Sequence, residues 1–305
     1  MKILVFGNAG QLGKPLFDAL SKDNKHIVVG INRSHCDVLV FEQVEAILNL
    51  HQPDLIINCI AYTDVDKAEQ EVILSYQVNA MFVEVIANWA KNNNSVIIHF
   101  STNYVYDGTK DINEPYYETD EANPINIYGK TKLQGELLLH TTSLKSITIR
   151  TSGIHSGNNS NKNFVNTIVK ALQVKETLAV INDTRINPTH VDTLVDGTIA
   201  VINSISNPDF NEWGVYHLAD IDTLSWHQYS QCIFNFMRSY ETKVTVKSVD
   251  DILPVSSAAF PTIATRPQNS TIDSANFKNV FGIELQSGVL GIHKSVAGLN
   301  TNAGN

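Results

Sequence analysis

The sequence predicts an α/β fold built on a doubly wound parallel sheet of the Rossmann type, with a smaller, mostly C-terminal lobe beside it. Three observations predict it. Short apolar runs alternate with helical patterns through the first half. A glycine-rich turn follows the first run directly, and the regular alternation fades after about Arg150.

The elements follow in order. Ile3-Leu4-Val5-Phe6 is a short buried strand, and Gly7 to Gly13 turns into a helix carrying Leu16, Phe17 and Leu20. His26 to Ile31 reads as the second strand, followed by a helix through Val44, Ile47 and Leu48. Leu55-Ile56-Ile57 is the third strand, opened by Pro53 and Asp54. Val72 to Trp89 carries apolar residues at helical spacing, and Val96-Ile97-Ile98 is the fourth strand. Asn126 to His140 reads as a helix whose Leu133, Leu137 and Leu138 face the core, and Ile147-Thr148-Ile149 is the fifth strand. Beyond it, polar Ser156 to Asn163 is a loop before a helix from Phe164 to Leu172. Val215 to Leu218 is a late strand, Trp226 to Phe236 a helix and Val244-Thr245-Val246 a short strand. Residues 1–150 are therefore expected to bind a dinucleotide. Residues 151–300 are expected to form mainly the substrate side, some segments returning to the main sheet, and 301–305 a frayed polar tail.

Bulk properties narrow the function class. A 305-residue chain with 43% hydrophobic and 17% charged residues has the make-up of a globular enzyme. Its net charge of −9 argues against a nucleic-acid partner, which draws on clustered Lys and Arg. An anionic small substrate remains compatible, since one or two local arginines serve a diphosphate. Cys36, Cys59 and Cys232 are scattered, without zinc or disulfide spacing, and imply a reducing compartment. No leader pattern precedes the first strand and no apolar run approaches a membrane span, so a soluble, cytoplasmic protein without membrane partners is expected.

Gly7-Asn8-Ala9-Gly10-Gln11-Leu12-Gly13 sits between a strand and a helix. Gly7 permits the tight turn, Gly10 lets backbone N–H groups approach a pyrophosphate, and Gly13 lets helix and strand pack closely. At the end of the second strand, a carboxylate would suit the ribose 2′-OH of NAD and an arginine a 2′-phosphate. Here Ile31-Asn32-Arg33-Ser34 offers a cation and no acid, favouring NADPH, with NADH as the alternative. Asp37 and Val38 follow toward the adenine side.

Tyr128 and Lys132 stand at i and i+4 on one helix face. A nearby ammonium stabilises a phenolate and brings a tyrosine closer to useful acid chemistry. Thr102, just past the fourth strand, lies where the sheet's carboxyl ends face a ligand crevice and offers a hydroxyl to the same carbonyl oxygen. His99 reads as a packed or hydrogen-bonded histidine, Trp213 and Trp226 as packing residues, and Glu114 to Glu121 as a solvated loop over the active site. His190 reads equally as a pocket residue or a helix start.

The glycine loop, Thr102 and the Tyr128/Lys132 pair occur in the order and spacing of an extended short-chain dehydrogenase/reductase. Asn58 to Glu69, Val78-Asn79-Ala80, Ser101 to Gly108, Asn163-Phe164, Asn187-Pro188-Thr189, Tyr216-His217-Leu218, Ser225-Trp226 and Arg266 to Ser270 narrow the match. These segments resemble the dTDP-4-dehydrorhamnose reductase family, from Lys2 to about Gly291. The resemblance implies reduction, by NAD(P)H, of the C4 ketone of a nucleotide-linked 4-keto-6-deoxysugar. It implies that Thr102 polarises the carbonyl, Tyr128 is the acid, and Lys132 holds the nicotinamide ribose and tunes Tyr128. Ile60, Ala61 and Tyr62 would lie along the cofactor, and Tyr104 and Arg266 toward the substrate, in a region that also holds Asn103, Gly153 and Arg185. Dimers are frequent in this class, so a homodimer is an expectation. Some family members bind Mg²⁺ between subunits through carboxylates; those have no secure match here, and no metal site is assigned.

Departures from the family are specific. Where it usually reads Ser-Thr-Asp-Tyr-Val-Phe, this chain has Asn103 and Tyr106. Gly153 replaces a large aromatic that lines the sugar pocket, and Thr184 and Ile186 stand where a Gln and a Gly are usual. These changes imply a related keto-sugar reductase with an altered substrate. Two other readings stay open: an epimerase with tightly held NAD, and a non-catalytic regulatory subunit on the same fold, as one relative serves methionine adenosyltransferase. Dehydration is disfavoured because Asn103-Tyr104, not Asp-Glu, follows Thr102.

Overall fold

The computed structural model describes residues 1–158 and 162–302. Five β/α units open the chain: β1 (Lys2–Phe6), α1 (Gly13–Lys22), β2 (Ile27–Ile31), α2 (Phe41–His51), β3 (Leu55–Asn58), α3 (Val65–Ala68), α4 (Val72–Tyr76), α5 (Phe82–Asn93), β4 (Val96–Thr102), α6 (Ile127–Thr142) and β5 (Ser146–Thr151). The later elements are β6 (Ile154–His155), α7 (Phe164–Val174), β7 (Leu178–Ile181), β8 (Thr189–His190), α8 (Val191–Ile205) and β9 (Gly214–His217). They end with α9 (Trp226–Ser239), β10 (Ile252–Val255), α10 (Ala275–Phe281) and α11 (Gly288–Asn302).

The main sheet is six-stranded and parallel, in the order β2-β1-β3-β4-β5-β9. Its strands are apolar on both faces, as a sheet covered by two helical layers requires. On one face Ile3, Val5 and Ile57 pack with Leu16 of α1, Leu194 of α8 and Phe277 of α10. On the other, Leu4, Phe6 and Ile56 pack with Val44 of α2, Phe82 of α5 and Leu139 of α6. The order reverses between β1 and β3, which opens the ligand crevice at the carboxyl ends of the strands. The second lobe has its own core, with Val165, Leu172, Tyr229, Ile233 and Val296 from α7, α9 and α11 against the parallel β7–β10 pair.

Several expectations need correcting. Leu137 is exposed, and the inward face of α6 carries Lys132, Gly135, Glu136 and Leu139. Polar residues occupy that face, so its apolar periodicity misleads. Val244-Thr245-Val246 forms no strand: Val246 is buried, but the backbone bonds only to the end of α7, Thr245 N–H donating to Leu172 O at 2.8 Å. The helix expected from Val72 to Trp89 is interrupted by a π-turn at Gln77–Met81. This turn aims Asn79 at the Tyr62 backbone, accepting from its N–H at 2.8 Å and donating to its O at 3.2 Å. The acidic segment is not simply solvated. Tyr116 is buried and stacks on Tyr106 at 4.3 Å, and Glu118 accepts from His217 N–H at 2.8 Å.

Trp226 packs against Phe164 and Tyr229, and Trp213 against Phe210. Of the loop and tail segments, residues 159–161 and 303–305 lie outside the described residues, while Thr301 and Asn302 continue α11. Among the described residues, no helix is long and apolar enough to cross a membrane.

Candidate active site

The glycine loop is shaped by contacts that no side chain survives. Gly7 has φ +84°, in the left-handed region, and a Cβ on Gly13 would stand 2.2 Å from Gly7 O. Gly7 also abuts Ile60: a Cβ there would meet the Ile60 side chain at 3.0 Å, which brings the loop onto the end of β3. No side chain caps the N-terminus of α1 at Leu12. In its first turn Lys14 N–H already donates to Gly10 O at 3.1 Å and Pro15 has no N–H, so the Gly13 N–H and the positive end of the helix dipole face an anion, as a dinucleotide pyrophosphate requires. Asn8 lies across Gly30 of β2, where a Cβ would come within 2.2 Å of its Nδ2. Gln11 Nε2 donates to Ile154 O at 3.0 Å, tying the loop to the second lobe.

Past β2, Asn32 Oδ1 accepts from Ser34 N–H and Oγ at 2.9 and 2.7 Å, which bends the chain back. Arg33 is exposed and, among the described residues, meets no carboxylate in an ion pair. Asp37 caps the next turn by accepting from Leu39 N–H at 3.0 Å, and Val38 packs against the core below. Past β3, Ile60 N–H donates to Asn58 Oδ1 at 2.9 Å, and Asn79 holds Tyr62. Ile60, Ala61 and Tyr62 thus run along the same edge of the crevice as Gly7.

The candidate proton-transfer groups gather at the end of β4. Thr102 ends the strand, and its Oγ1 accepts from Tyr104 N–H at 3.1 Å, which turns the chain so that Tyr104 faces Tyr128 edge-on at 6.0 Å between ring centroids. Tyr128 sits in the first turn of α6, where Asn126 caps the helix by accepting from Gly129 N–H at 2.8 Å. Gly129 is required there, since a Cβ would reach within 2.1 Å of Tyr104 O. Burial pushes the Tyr128 phenol up to about 12, while a side-chain hydrogen bond with Thr102 draws it down. Arg266 reaches this cluster from the second lobe, close to Tyr104 and paired to Asp66 of α3. Lys132, one turn after Tyr128, is fully buried, with Nζ donating to Phe100 O at 2.6 Å. Its nearest charged-state influence is burial, which pulls the amine down to about 8, against the opposing pull of Glu136. Tyr128 and Lys132 share a helix face, but the lysine head turns toward β4 in this structure.

A cavity of about 560 Å³ opens beside Gly10, Gln11 and Lys14 and is lined on its far side by His190, Asp192 and Lys294. It adjoins the glycine loop and not the Thr102–Tyr128 cluster. His190 does start a helix, its side chain accepting from Asp192 N–H at 3.2 Å, and it also lines this cavity.

The sequence pattern of the family described as RmlD substrate binding domain matches residues 1–300. The chain belongs to this family. It is 34% identical over 304 residues to a dTDP-4-dehydrorhamnose reductase of Salmonella typhimurium, covering 99% of both chains. Its structure resembles a dTDP-4-dehydrorhamnose reductase of Clostridium acetobutylicum, with a TM-score of 0.88 at 28% identity, covering 98% of this chain and 100% of that one. It also resembles the Bacillus anthracis enzyme of the same name, solved in complex with NADP, with a TM-score of 0.86 at 27% identity and coverage of 97% and 98%.

Against the family pattern, two departures prove to be spent on packing. Asn103 is buried, and its Nδ2 donates to Ser152 Oγ at 2.9 Å and Ser270 O at 2.6 Å, bonds that bind the end of β4 to the second lobe. The hydroxyl of fully buried Tyr106 donates to Tyr117 O at 3.0 Å, lies 2.8 Å from His217 Nε2 and accepts from Arg150 Nη1 at 2.8 Å.

The other departures touch one another. Gly153 has φ +54°, and a Cβ there would meet Ile186 at 2.9 Å and Asn187 O at 2.7 Å. Ile186 and the Asn187 carbonyl therefore fill the direction in which a side chain at position 153 would start. Arg185 folds back, Nη1 donating to Asn182 O and Thr184 O at 2.9 Å each. The reciprocal placement of Gly153 and Ile186 was legible only as two unconnected substitutions. Asp66, the partner of Arg266, gave no signal in the sequence beyond its place in a resembling segment.

Proposed function

We propose that this chain is an NADPH-dependent reductase of the C4 ketone of a nucleotide-linked 4-keto-6-deoxysugar, acting as its dTDP-4-dehydrorhamnose reductase relatives are named. The observation that carries the reading is that buried Tyr128, at the start of α6, stands at the carboxyl end of β4, where Thr102 turns the chain and Tyr104 lies edge-on to it, with the Arg266–Asp66 pair nearby. When bound, the reduced nicotinamide supplies the hydride. Tyr128 supplies the proton: a phenol raised to about 12 is fully protonated at neutral pH, the form an acid needs. An alkoxide is a stronger base than a phenolate, so transfer to the developing oxyanion runs downhill. Thr102 orients that oxygen. Arg266 offers a guanidinium to the anionic part of the substrate, the glycine loop takes the cofactor pyrophosphate, and exposed Arg33 favours NADPH over NADH.

Two of the changes read from sequence as substrate changes, Asn103 and Tyr106, make interior bonds, and the Gly153/Ile186 exchange preserves a filled wall. This supports a substrate close to that of the named relatives, with any difference confined to that wall. We expect a homodimer, which light scattering of the purified protein checks.

The deciding experiment incubates the protein with NADPH or NADH and a panel of nucleotide-4-keto-6-deoxysugars, following nicotinamide absorbance and product identity. Oxidation with at least one keto-sugar is expected. No oxidation with any of them overturns the reading in favour of a regulatory subunit, and sugar interconversion without net oxidation would make it an epimerase.

A further inference from the structure

Residues 66–71 send three carboxylates to three parts of the site. Asp66 accepts from Ala264 N–H at 3.0 Å and pairs with Arg266 through bonds of 3.0 and 2.7 Å. Glu69, which closes α3 one turn later, accepts from Ile127 N–H at 2.8 Å. Glu71 accepts from the Tyr62 hydroxyl at 2.7 Å, on the cofactor edge of the crevice. The first two arms meet again on the far side, where Asn126 Nδ2 donates to Thr265 O at 2.9 Å. Asp66, residues 264–266, Asn126, Ile127 and Glu69 therefore close a ring of hydrogen bonds.

Ile127 is the first residue of α6 and Tyr128 the second. The first N–H groups of a helix have no partner within it. Asn126 takes the Gly129 N–H at 2.8 Å, and the Ile127 N–H goes to Glu69. A carboxylate suits that place, since the helix dipole presents its positive end there. The body of α6 is fastened separately, a turn further on. Thr131 Oγ1 lies 3.0 Å from Ser75 Oγ and accepts from Asn79 Nδ2 at 3.0 Å. Releasing Glu69 thus frees the first turn, and Tyr128 with it, without unseating the helix.

We propose that Glu69 is a positioning residue for the reaction, its bond to Ile127 aiming the Tyr128 phenol. The bearing on turnover rests on the reductase reading; the arrangement itself does not. The phenol hydroxyl lies at the far end of its side chain, where a small tilt of the first turn is magnified. A misplacement of about 1 Å at the reacting atoms can cost on the order of 10²-fold in rate. Asp66 and Glu69 then have separate effects. One fixes the guanidinium on the substrate side, the other fixes the acid, and the ring through Thr265 sets the two relative to each other.

The test compares Glu69→Leu, Glu69→Asp and Glu69→Gln with the parent, using NADPH and the keto-sugar that the parent reduces. Leucine removes the acceptor, aspartate keeps the charge but falls a methylene short, and glutamine keeps an oxygen at full reach. In Glu69→Leu and Glu69→Asp, kcat should fall about tenfold to hundredfold, with KM for the nucleotide sugar and for NADPH within about twofold. Glu69→Gln should stay within about threefold of the parent, since its bond is kept. NMR amide exchange of the cofactor-free proteins reads the bond itself. The Ile127 N–H should exchange about tenfold faster in the leucine and aspartate variants and remain protected in the glutamine variant.

Unchanged kcat in a folded Glu69→Leu or Glu69→Asp protein overturns the proposal. So does a rise in KM at constant kcat, which would put Glu69 in substrate binding, and so does a glutamine variant as slow as the leucine one. Should Glu69→Leu fail to fold, the aspartate and glutamine variants decide. A parent that oxidises no NADPH overturns the reductase reading instead. Equal Ile127 exchange in the parent and Glu69→Asp would still overturn the hold on the first turn of α6.

Discussion

Asp66 and Arg266 stand 200 positions apart in the chain and meet through two side-by-side hydrogen bonds of 3.0 and 2.7 Å. The same carboxylate accepts from Ala264 N–H at 3.0 Å, so it braces both the arginine and the strand of chain that carries it. The guanidinium holds Asp66 below the usual carboxylate range, through the Arg266 hydrogen bond above all. This pair joins α3 of the sheet lobe to the segment of the second lobe that faces Tyr104.

Asp66→Asn should therefore affect recognition more than folding. Both partners are about a third exposed, at 34% and 32%, so solvent screening leaves a stability contribution of only about 0.5–1 kcal/mol. Loss of the fixed guanidinium orientation should raise KM for the nucleotide sugar by roughly fivefold to tenfold with kcat nearly unchanged. Steady-state kinetics read this directly, and an unchanged KM would remove Arg266 from substrate recognition.

Tyr128→Phe deletes the proton donor and leaves the edge-on ring contact with Tyr104. Turnover should fall by about 10²–10⁴-fold, the usual worth of a positioned acid, while NADPH affinity changes by less than about twofold. Fluorescence titration of the cofactor separates the two quantities. Unimpaired turnover would sink the assigned role.

Gly13→Ala and Gly10→Ala should differ. A Cβ on Gly13 would lie 2.2 Å from Gly7 O, which is backbone and cannot swing aside; on Gly10 the nearest atom is that same oxygen at 3.2 Å. Overpacking at Gly13 should cost about 1–3 kcal/mol of stability, with Gly10→Ala costing clearly less. Thermal melts of the cofactor-free proteins make the comparison.

Asp220 carries a pH signature. It is buried against α8, accepting from His190 N–H at 2.9 Å and from the Thr193 hydroxyl, and burial raises its carboxyl to about 6 in spite of those bonds. In the unfolded chain it ionises near 4. Between about pH 4 and 6 the unfolded state has thus released more protons than the folded one, and rising pH costs the fold stability, by up to a few kcal/mol. Asp220→Asn removes the charge, so the stability difference between variant and parent should shift in favour of the variant as pH rises from 4 to 7. Chemical denaturation at several pH values checks the sign; parallel curves would show that the carboxyl ionises freely in the fold.

Local chemistry made much of the architecture readable. Ile3 to Phe6, the glycine turn and the run of β/α units follow from apolar runs too short for helices and from glycines whose positions no other residue tolerates. What misled was polarity turned inward. The buried face of α6 carries Lys132 and Glu136, so Leu137 looked like a core residue and lies outside. Val244 to Val246 has the composition of a strand, but no neighbouring strand stands in register to pair with it. Residues 191–205 went unassigned although their apolar spacing is helical, because the regular β/α alternation that frames such segments had already ended.

The sequence by itself determined the type of fold, the glycine loop suited to a dinucleotide, and the candidate hydroxyl, phenol and amine. Each is local: a strand, a turn or one helical turn brings the residues together. Only the tertiary structure decided what those groups face. Asp66 reaching Arg266, Ile186 filling the space opened at Gly153, Asn103 binding the two lobes, and the Asn58–His99 pair behind Lys132 all join segments far apart in the chain. Asn58 meets His99 through the register of β3 beside β4, and the others through the packing of later segments on one another and on the sheet, none of which a one-dimensional pattern records.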